Sequence, residues 1–371
     1  MNDRIPAEVF PPGEFLKEEL ESRGWSQVEL AEILSRPPRV VNEIIAGKRA
    51  ITPETAKGFS AAFGQSAQYW MNLETSYQLS KAKIEERDVR ERAKLYTKFP
   101  VKEMIKRGWV EGSENLDVLI QRFTDFFKIQ SLDALPTFAH AARKTTYTEK
   151  SILQLAWLNR AEQIAQAIQV EKFSPKALEN AIPQLRACME FPEEIRNVSQ
   201  ILAKAGVRFV IVEYLPGMKM DGACFWLNKG SAPVIALSLR FDRIDNFWFN
   251  LFHEIDHVLH GEGKEEPIVE AITQGEEDLS PIEQRANRAA SNYCVPDSEM
   301  TDFVNRLQPM FSKAAIVGFA RRIHVHPGII AGQLHGKGIV PPSHHREMLE
   351  KVRTVTTASV LTDGFGNKIS I

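Results

Sequence analysis

The segment NFWFNLFHEIDHVLHG, residues 246–261, constrains this chain more than any other stretch. Phe247, Trp248, Leu251, Phe252, Ile255, Val258 and Leu259 recur at helical spacing, which predicts a helix buried on most sides. That helix must carry His253, Glu254 and His257 into the same apolar setting. Imidazoles four residues apart share one helix face, with Cβ atoms about 5–6 Å apart. Glu254 follows the first of them, about 100° round the helix. A helix with incidental histidines would leave two imidazoles and a carboxylate unpaired among apolar groups, which is costly. A divalent ion such as zinc (Zn2+), held by His253 and His257, removes that cost. It also leaves Glu254 within reach of a water as a general base.

A catalytic zinc keeps three protein ligands and an open position. The spacing HExxHxxGxxH cannot supply the third here. In HEIDHVLHGEG, His260 stands where that pattern wants glycine and Gly263 where it wants histidine. The alternative is a glutamate on a following helix. Most carboxylates of EGKEEPIVEAITQGEEDLS read as a solvated acidic loop. SPIEQRANRAASNYC then opens on Ser280 as N-cap and Pro281 at the first helical position, and it presents Glu283. Glu283 is the expected third ligand, with Asn287 one turn on to hydrogen-bond it. As a plain surface residue it would be a helix-start charge favoured by the dipole. Tyr293, His260, His324 and His326 are candidates for stabilising an oxyanion.

With 371 residues the chain is too long for one ordinary core, so two or three domains are expected. Short capped helices fill residues 1–82. SQVELAEIL carries a capping box on Ser26 and Glu29, TPETAKGFSAAFG starts on Thr52 and Pro53, and Gly24, Gly47 and Gly64 sit at helix stops. Residues 83–195 read as helical throughout, with KAKIEERDVRERAK the best linker. From 206 the pattern shifts to short β-branched or aromatic runs: GVRFVIVEYL, GACFWLN and PVIALSLR. The last can be an edge strand that docks an extended peptide, or ordinary core sheet. Residues 196–340 therefore form the third region and 341–371 a tail. The fold class is mainly α with a C-terminal α+β domain.

The net charge of −2 gives no global pull toward nucleic acid or membrane, so any basic surface is local. Residues 1–82 hold nine Lys or Arg against eleven Asp or Glu, but within 36–49 Arg36, Arg39, Lys48 and Arg49 face a single Glu43. As a helix-turn-helix, Arg39 and Asn42 would reach base edges, with Arg36, Lys48 and Arg49 near phosphate. Charge alone leaves a protein-interaction module equally open. Cys188, Cys224 and Cys294 are far apart with no CxxC pair, which fits a reducing cytoplasm and excludes a cysteine-built metal site. No apolar leader or run of about 18 apolar residues is visible, so a soluble cytoplasmic protein is expected.

FWFNLFHEIDHVLHG followed by EQRANRAASNYCVP resembles the ImmA/IrrE metallopeptidases, gluzincin-like enzymes with HExxH and a later ExxAN helix. The resemblance implies His253, His257 and Glu283 as zinc ligands, Glu254 as catalytic base, and metal-assisted hydrolysis of a peptide bond. Asp256 replaces the small residue usual in that family, Arg285 stands where a second acid is frequent, and Ala289 where Phe is usual. Residues 10–83 resemble the HigA-type antitoxin domain, an XRE-like DNA-binding module, with two prolines in the SRPPRVV turn. That implies operator DNA, a homodimer and a cognate toxin as partners. The combined reading is a DNA-binding regulator with its own zinc peptidase, cutting a repressor or antitoxin, or itself. The alternatives are a non-enzymatic antitoxin and autorepressor, and a peptidase whose front end recruits protein.

Overall fold

The computed structural model describes residues 9–82, 86–134, 136, 151–265, 267–269 and 280–366. The chain divides into two compact units, Met1–Val89 and Arg90–Ile371.

The first unit is built from α1 (Pro12–Arg23), α2 (Gln27–Ile33), α3 (Pro38–Ile45), α4 (Pro53–Phe63) and α5 (Ala67–Lys81). The caps are those the sequence announces. The Ser26 hydroxyl accepts from the Glu29 amide at 3.2 Å while the Glu29 carboxylate accepts from the Ser26 amide at 2.6 Å. The Thr52 hydroxyl caps α4, which ends at left-handed Gly64, φ 89°. Leu16, Leu30, Val41, Ile44, Phe59 and Trp70 form the core. The double proline simply sets the start of α3, with Pro37 as N-cap and Pro38 at the first helical position.

The second unit opens with α6 (Glu86–Lys98), which begins in the first, then α7 (Val101–Lys106), α8 (Leu116–Phe127), α9 (Ile152–Gln166), α10 (Pro175–Ala187) and α11 (Val198–Lys204). Strands β1 (Arg208–Val212), β2 (Gly222–Leu227) and β3 (Ala232–Leu237) follow. Beyond them come α12 (Ile244–Leu259), β4 (Ile268–Val269), α13 (Pro281–Cys294), α14 (Asp297–Leu307), α15 (Lys313–Arg322), α16 (Pro327–Gly336), α17 (Arg353–Ser359) and β5 (Thr362–Asp363). The five strands make one mixed sheet in the order β4-β2-β3-β1-β5. β3 runs parallel to β1 and antiparallel to β2, with Val234 beside Arg208 and Ile235 beside Cys224. It is therefore central. Of the two readings of PVIALSLR, core sheet holds and the free edge is corrected: all six residues of β3 are buried, the pattern of a strand covered on both faces.

The two faces have different covers. Phe209, Ile211, Cys224, Trp226, Ile235 and Leu237 pack with α10 to α16. Val210, Val212, Ala223, Phe225, Val234 and Ala236 pack with α7 to α9. Residues 83–195, expected as a helical linker, thus cover one face through α7 to α9 and contribute α10 to the other. The Trp157 indole donates to the Val212 carbonyl at 2.8 Å, and Arg107 donates to the carbonyls of Glu213 and Tyr214 at 2.7 and 2.9 Å. The expected tail, 341–371, supplies β5, which pairs parallel with β1 through Ile211 and Thr362. Among the described residues no helix is long and apolar enough to cross a membrane.

A buried ion pair between Arg160 of α9 and Asp363 of β5 locks helix and final strand together, at 5% and 0% side-chain exposure. Removing one partner leaves a buried charge unpaired. Arg160→Met should therefore cost about 3–5 kcal/mol, measured as a lower urea midpoint for the second unit. A midpoint equal to that of the unchanged protein would mean that the ion pair does not secure β5.

Candidate metal centre

α12 lies on the sheet face formed by β2 and β3 and packs against α13 and α16. Its apolar side chains are each worth about 1.5–3 kcal/mol on burial, and they carry the polar triplet inward: His253 and His257 are 0% exposed and Glu254 is 1%. The two imidazoles approach with Nε2 atoms 3.0 Å apart and rings at 76°. Ser280 caps α13 by accepting from the Glu283 amide at 3.2 Å, which fixes the first turn of that helix. From that turn Glu283 reaches back. Its Oε2 lies 3.1 Å from His253 Nε2 and its Oε1 lies 3.7 Å from His257 Nε2.

One ligand atom from each of His253, His257 and Glu283 falls within 4.8 Å of the others. Two imidazole nitrogens and one carboxylate form a donor set that suits zinc, and a closed trio leaves room for an open position. Burial would raise the Glu283 carboxyl, but the hydrogen bonds and charges of His253 and His257 outweigh it and bring it to about 2. Burial would likewise lower His257, yet Glu283, Glu254 and Glu262 outweigh it and raise it. The trio attracts positive charge.

β2 shapes the floor by strand alternation. Gly222, Cys224 and Trp226 share the face toward α12. A Cβ on Gly222 would stand 2.5 Å from Glu254 Oε1, so the missing side chain is what leaves space for that carboxylate. Cys224 and Trp226 instead hold the turn after α12, their side chains donating to the Glu262 carbonyl at 3.6 and 2.6 Å. The turn is built on left-handed Gly261 and Gly263, φ 66° and 79°. It presents Glu262, whose Oε2 lies 2.7 Å from His257 Nδ1.

Sequence reasoning passed over Glu262 as one more acid in a solvated loop. The glycines flanking it were the available signal. The rest of that acidic run, residue 266 and residues 270–279, lies outside the described residues. Among the described residues no hydrogen bond joins Asn287 to Glu283, and the Asn287 carboxamide oxygen is buried without a partner. The histidines offered for an oxyanion are tied elsewhere, His324 to Glu190 at 3.3 Å, His326 to Glu350 at 3.3 Å and His260 to the Asp256 carbonyl at 2.9 Å. Tyr293 packs its ring on Phe252 at 5.5 Å. The three cysteines are free and buried.

In the first unit Arg36, Arg39, Asn42, Lys48 and Arg49 are all exposed, on α3 and the turns flanking it. Arg39 and Arg49 both pair with Glu43, at 2.6 and 3.4 Å, and Arg36 pairs with Glu54 at 3.0 Å. Such exposed pairs are worth little.

Comparison with known proteins assigns both ends. A family model described as a helix-turn-helix matches residues 16–70, and one described as an IrrE N-terminal-like domain matches residues 204–334. Virulence-associated protein I of Dichelobacter nodosus is 39% identical over 79 residues, covering 21% of this chain and 73% of the relative. An HTH-type transcriptional regulator of Escherichia coli, YddM, is 34% identical over 71 residues, covering 19% and 76%. Among solved structures, the Pseudomonas aeruginosa antitoxin HigA with higBA promoter is 35% identical with a TM-score of 0.20, covering 20% of this chain and 82% of that one. An addiction module antidote protein of a HigA family from Coxiella burnetii is 36% identical with a TM-score of 0.20, covering 20% and 83%.

The glycine turn yields a graded expectation. Gly261→Ala faces only the flexible Lys264 side chain and should cost the left-handed penalty of about 1–2 kcal/mol. Gly263→Ala should cost more, because its Cβ would stand 2.6 Å from the Cys224 carbonyl oxygen, which is fixed backbone. Urea midpoints of the two variants give the ranking, and the reverse order would show that the turn is not docked on β2.

Proposed function

We propose, for a chain that belongs to the helix-turn-helix family through residues 16–70 and to the IrrE N-terminal-like family through residues 204–334, that it is a DNA-binding regulator carrying its own zinc metalloendopeptidase. The observation that carries the reading is the convergence of His253, His257 and Glu283 within 4.8 Å, beside a buried Glu254. These three side chains would hold zinc, and Glu254 would be the general base.

Bound zinc supplies Lewis-acid charge that acidifies water and polarises a carbonyl oxygen. The chain's own residues do the rest. Glu254 accepts the proton of the attacking water and returns it to the departing amine. Gly222 keeps the space in which that carboxylate sits, and the apolar walls of α12 exclude bulk water from it. The substrate class is a regulatory protein, a repressor or antitoxin, with this chain itself included.

At the other end, Arg39 and Asn42 would read base edges of operator DNA, and Arg36, Lys48 and Arg49 would neutralise phosphates. Two half-sites one helical turn apart require a homodimer, and a cognate toxin completes the expected partners. A repressor whose second unit merely binds a toxin would have no need of a base at 254.

Three variants separate these readings. Glu254→Gln should retain stoichiometric zinc and lose cleavage of a repressor or antitoxin encoded beside it by about 10²–10⁴-fold. Gly222→Ala should behave in the same way, since the added methyl displaces the carboxylate and not the ligands. His257→Ala should lose both metal and cleavage. Metal analysis with a gel-based cleavage assay reads all three, and undiminished cleavage by Glu254→Gln would end the peptidase reading.

Operator binding should weaken steeply with salt. It should be lost in the Arg39→Ala, Asn42→Ala double variant, while Lys48→Ala reduces the salt slope by about one. A gel shift that is insensitive to all three changes would point to protein recruitment instead.

A further inference from the structure

Asp256 and Arg285, the two departures from the ImmA/IrrE pattern near the metal centre, prove to be partners of each other. Asp256 is buried immediately before His257 on α12, about 100° round the helix from it, and Arg285 Nε donates to its Oδ2 at 2.8 Å. The other end of the same guanidinium, Nη2, donates to Glu262 Oε2 at 2.6 Å. That oxygen in turn lies 2.7 Å from His257 Nδ1. The four side chains form one continuous line from α13, across the end of α12, to the imidazole.

The line has an orientation. Glu262 occupies the Nδ1 side of His257, while Nε2 faces His253 and Glu283. Glu262 is thereby excluded as a fourth ligand. Its carboxylate selects the tautomer with the proton on Nδ1, which leaves the Nε2 lone pair for a metal and raises its basicity. A carboxylate at the end of a glycine turn would swing freely unless held. The Glu262 carbonyl is pinned by Trp226 at 2.6 Å, its amide donates to the His257 carbonyl at 2.9 Å, and its carboxylate is pinned by Arg285. Asp256 then fixes the guanidinium at its other edge. A lysine in place of Arg285 could reach one carboxylate, not both, because only a planar fork presents donors in two directions.

We propose that Glu262, Arg285 and Asp256 are positioning residues that hold the His257 imidazole in its metal-binding orientation, with Arg285 acting only through Glu262. The inference rests on the metal reading of the previous subsection and adds to it three residues that do not touch the ion.

The test is cobalt(II) binding to the full chain, read by the absorption spectrum of the bound ion and by chelator competition. The unfolding midpoint of each metal-free variant is measured alongside. Glu262→Gln should raise the dissociation constant about 10–100-fold and alter the spectrum, at an unchanged metal-free midpoint. Arg285→Lys should move both readouts in the same direction by a smaller factor. Its position, 34% exposed on α13, makes it tolerant of exchange if Glu262→Gln fails to fold. The double variant should bind no more weakly than Glu262→Gln alone, as a serial chain requires. Unchanged cobalt affinity and spectrum in either single variant, or losses that multiply in the double variant, would overturn the proposal while leaving the metal centre standing. A wild-type protein that takes up no cobalt would overturn both.

Discussion

The second unit is organised around the cost of placing imidazoles and carboxylates in an apolar interior. Ionised groups there are tolerated only when every one has a partner of opposite charge or a directed hydrogen bond. α12 meets that condition by helical spacing, which stacks His253 over His257, and by what its neighbours bring. α13 brings Glu283 and Arg285, the glycine turn brings Glu262, and β2 brings a bare Gly222. The sheet is the rigid member. Because β2 and β3 are covered on both faces, the groups they place against α12 keep their positions without help from solvent.

Much of this was legible in the residues. The His253, Glu254 and His257 triplet follows from helical geometry alone, and the placement of Glu283 follows from Ser280 and Pro281, which mark where α13 must begin. The three longer strands and the capped helices of the first unit are likewise local facts, each written within about ten residues. What escaped was long-range. Nothing in PVIALSLR says whether one neighbour or two will pair with it, and its uniformly apolar run was the only hint of a central place. β4 and β5 are two residues each, too short for any periodicity. Glu262 looked like its acidic neighbours because what distinguishes it is a tertiary contact. Asp256 and Arg285 looked like separate departures from a family pattern, and only packing reveals that each explains the other.

The first unit shows a smaller version of the same economy. Glu43 pairs with both Arg39 and Arg49 on the exposed side of the module. Being exposed, those pairs are worth little and exchange partners readily. The buried Glu74 does the opposite work: it accepts from the Ile51 amide at 2.9 Å and secures the turn between α3 and α4 from inside. Charge on the surface stays exchangeable, and charge in the core is committed.

The place of β5 has a consequence for how the molecule comes into being. β1 cannot gain its outer neighbour, nor Arg160 its counter-charge, until residue 363 has left the ribosome. The helix-turn-helix needs nothing beyond its own core, and domains released early fold early. During every round of translation there is thus an interval in which the core of the first unit is complete and the sheet of the second still lacks a strand. Birth order alone sets which of the two cores closes first.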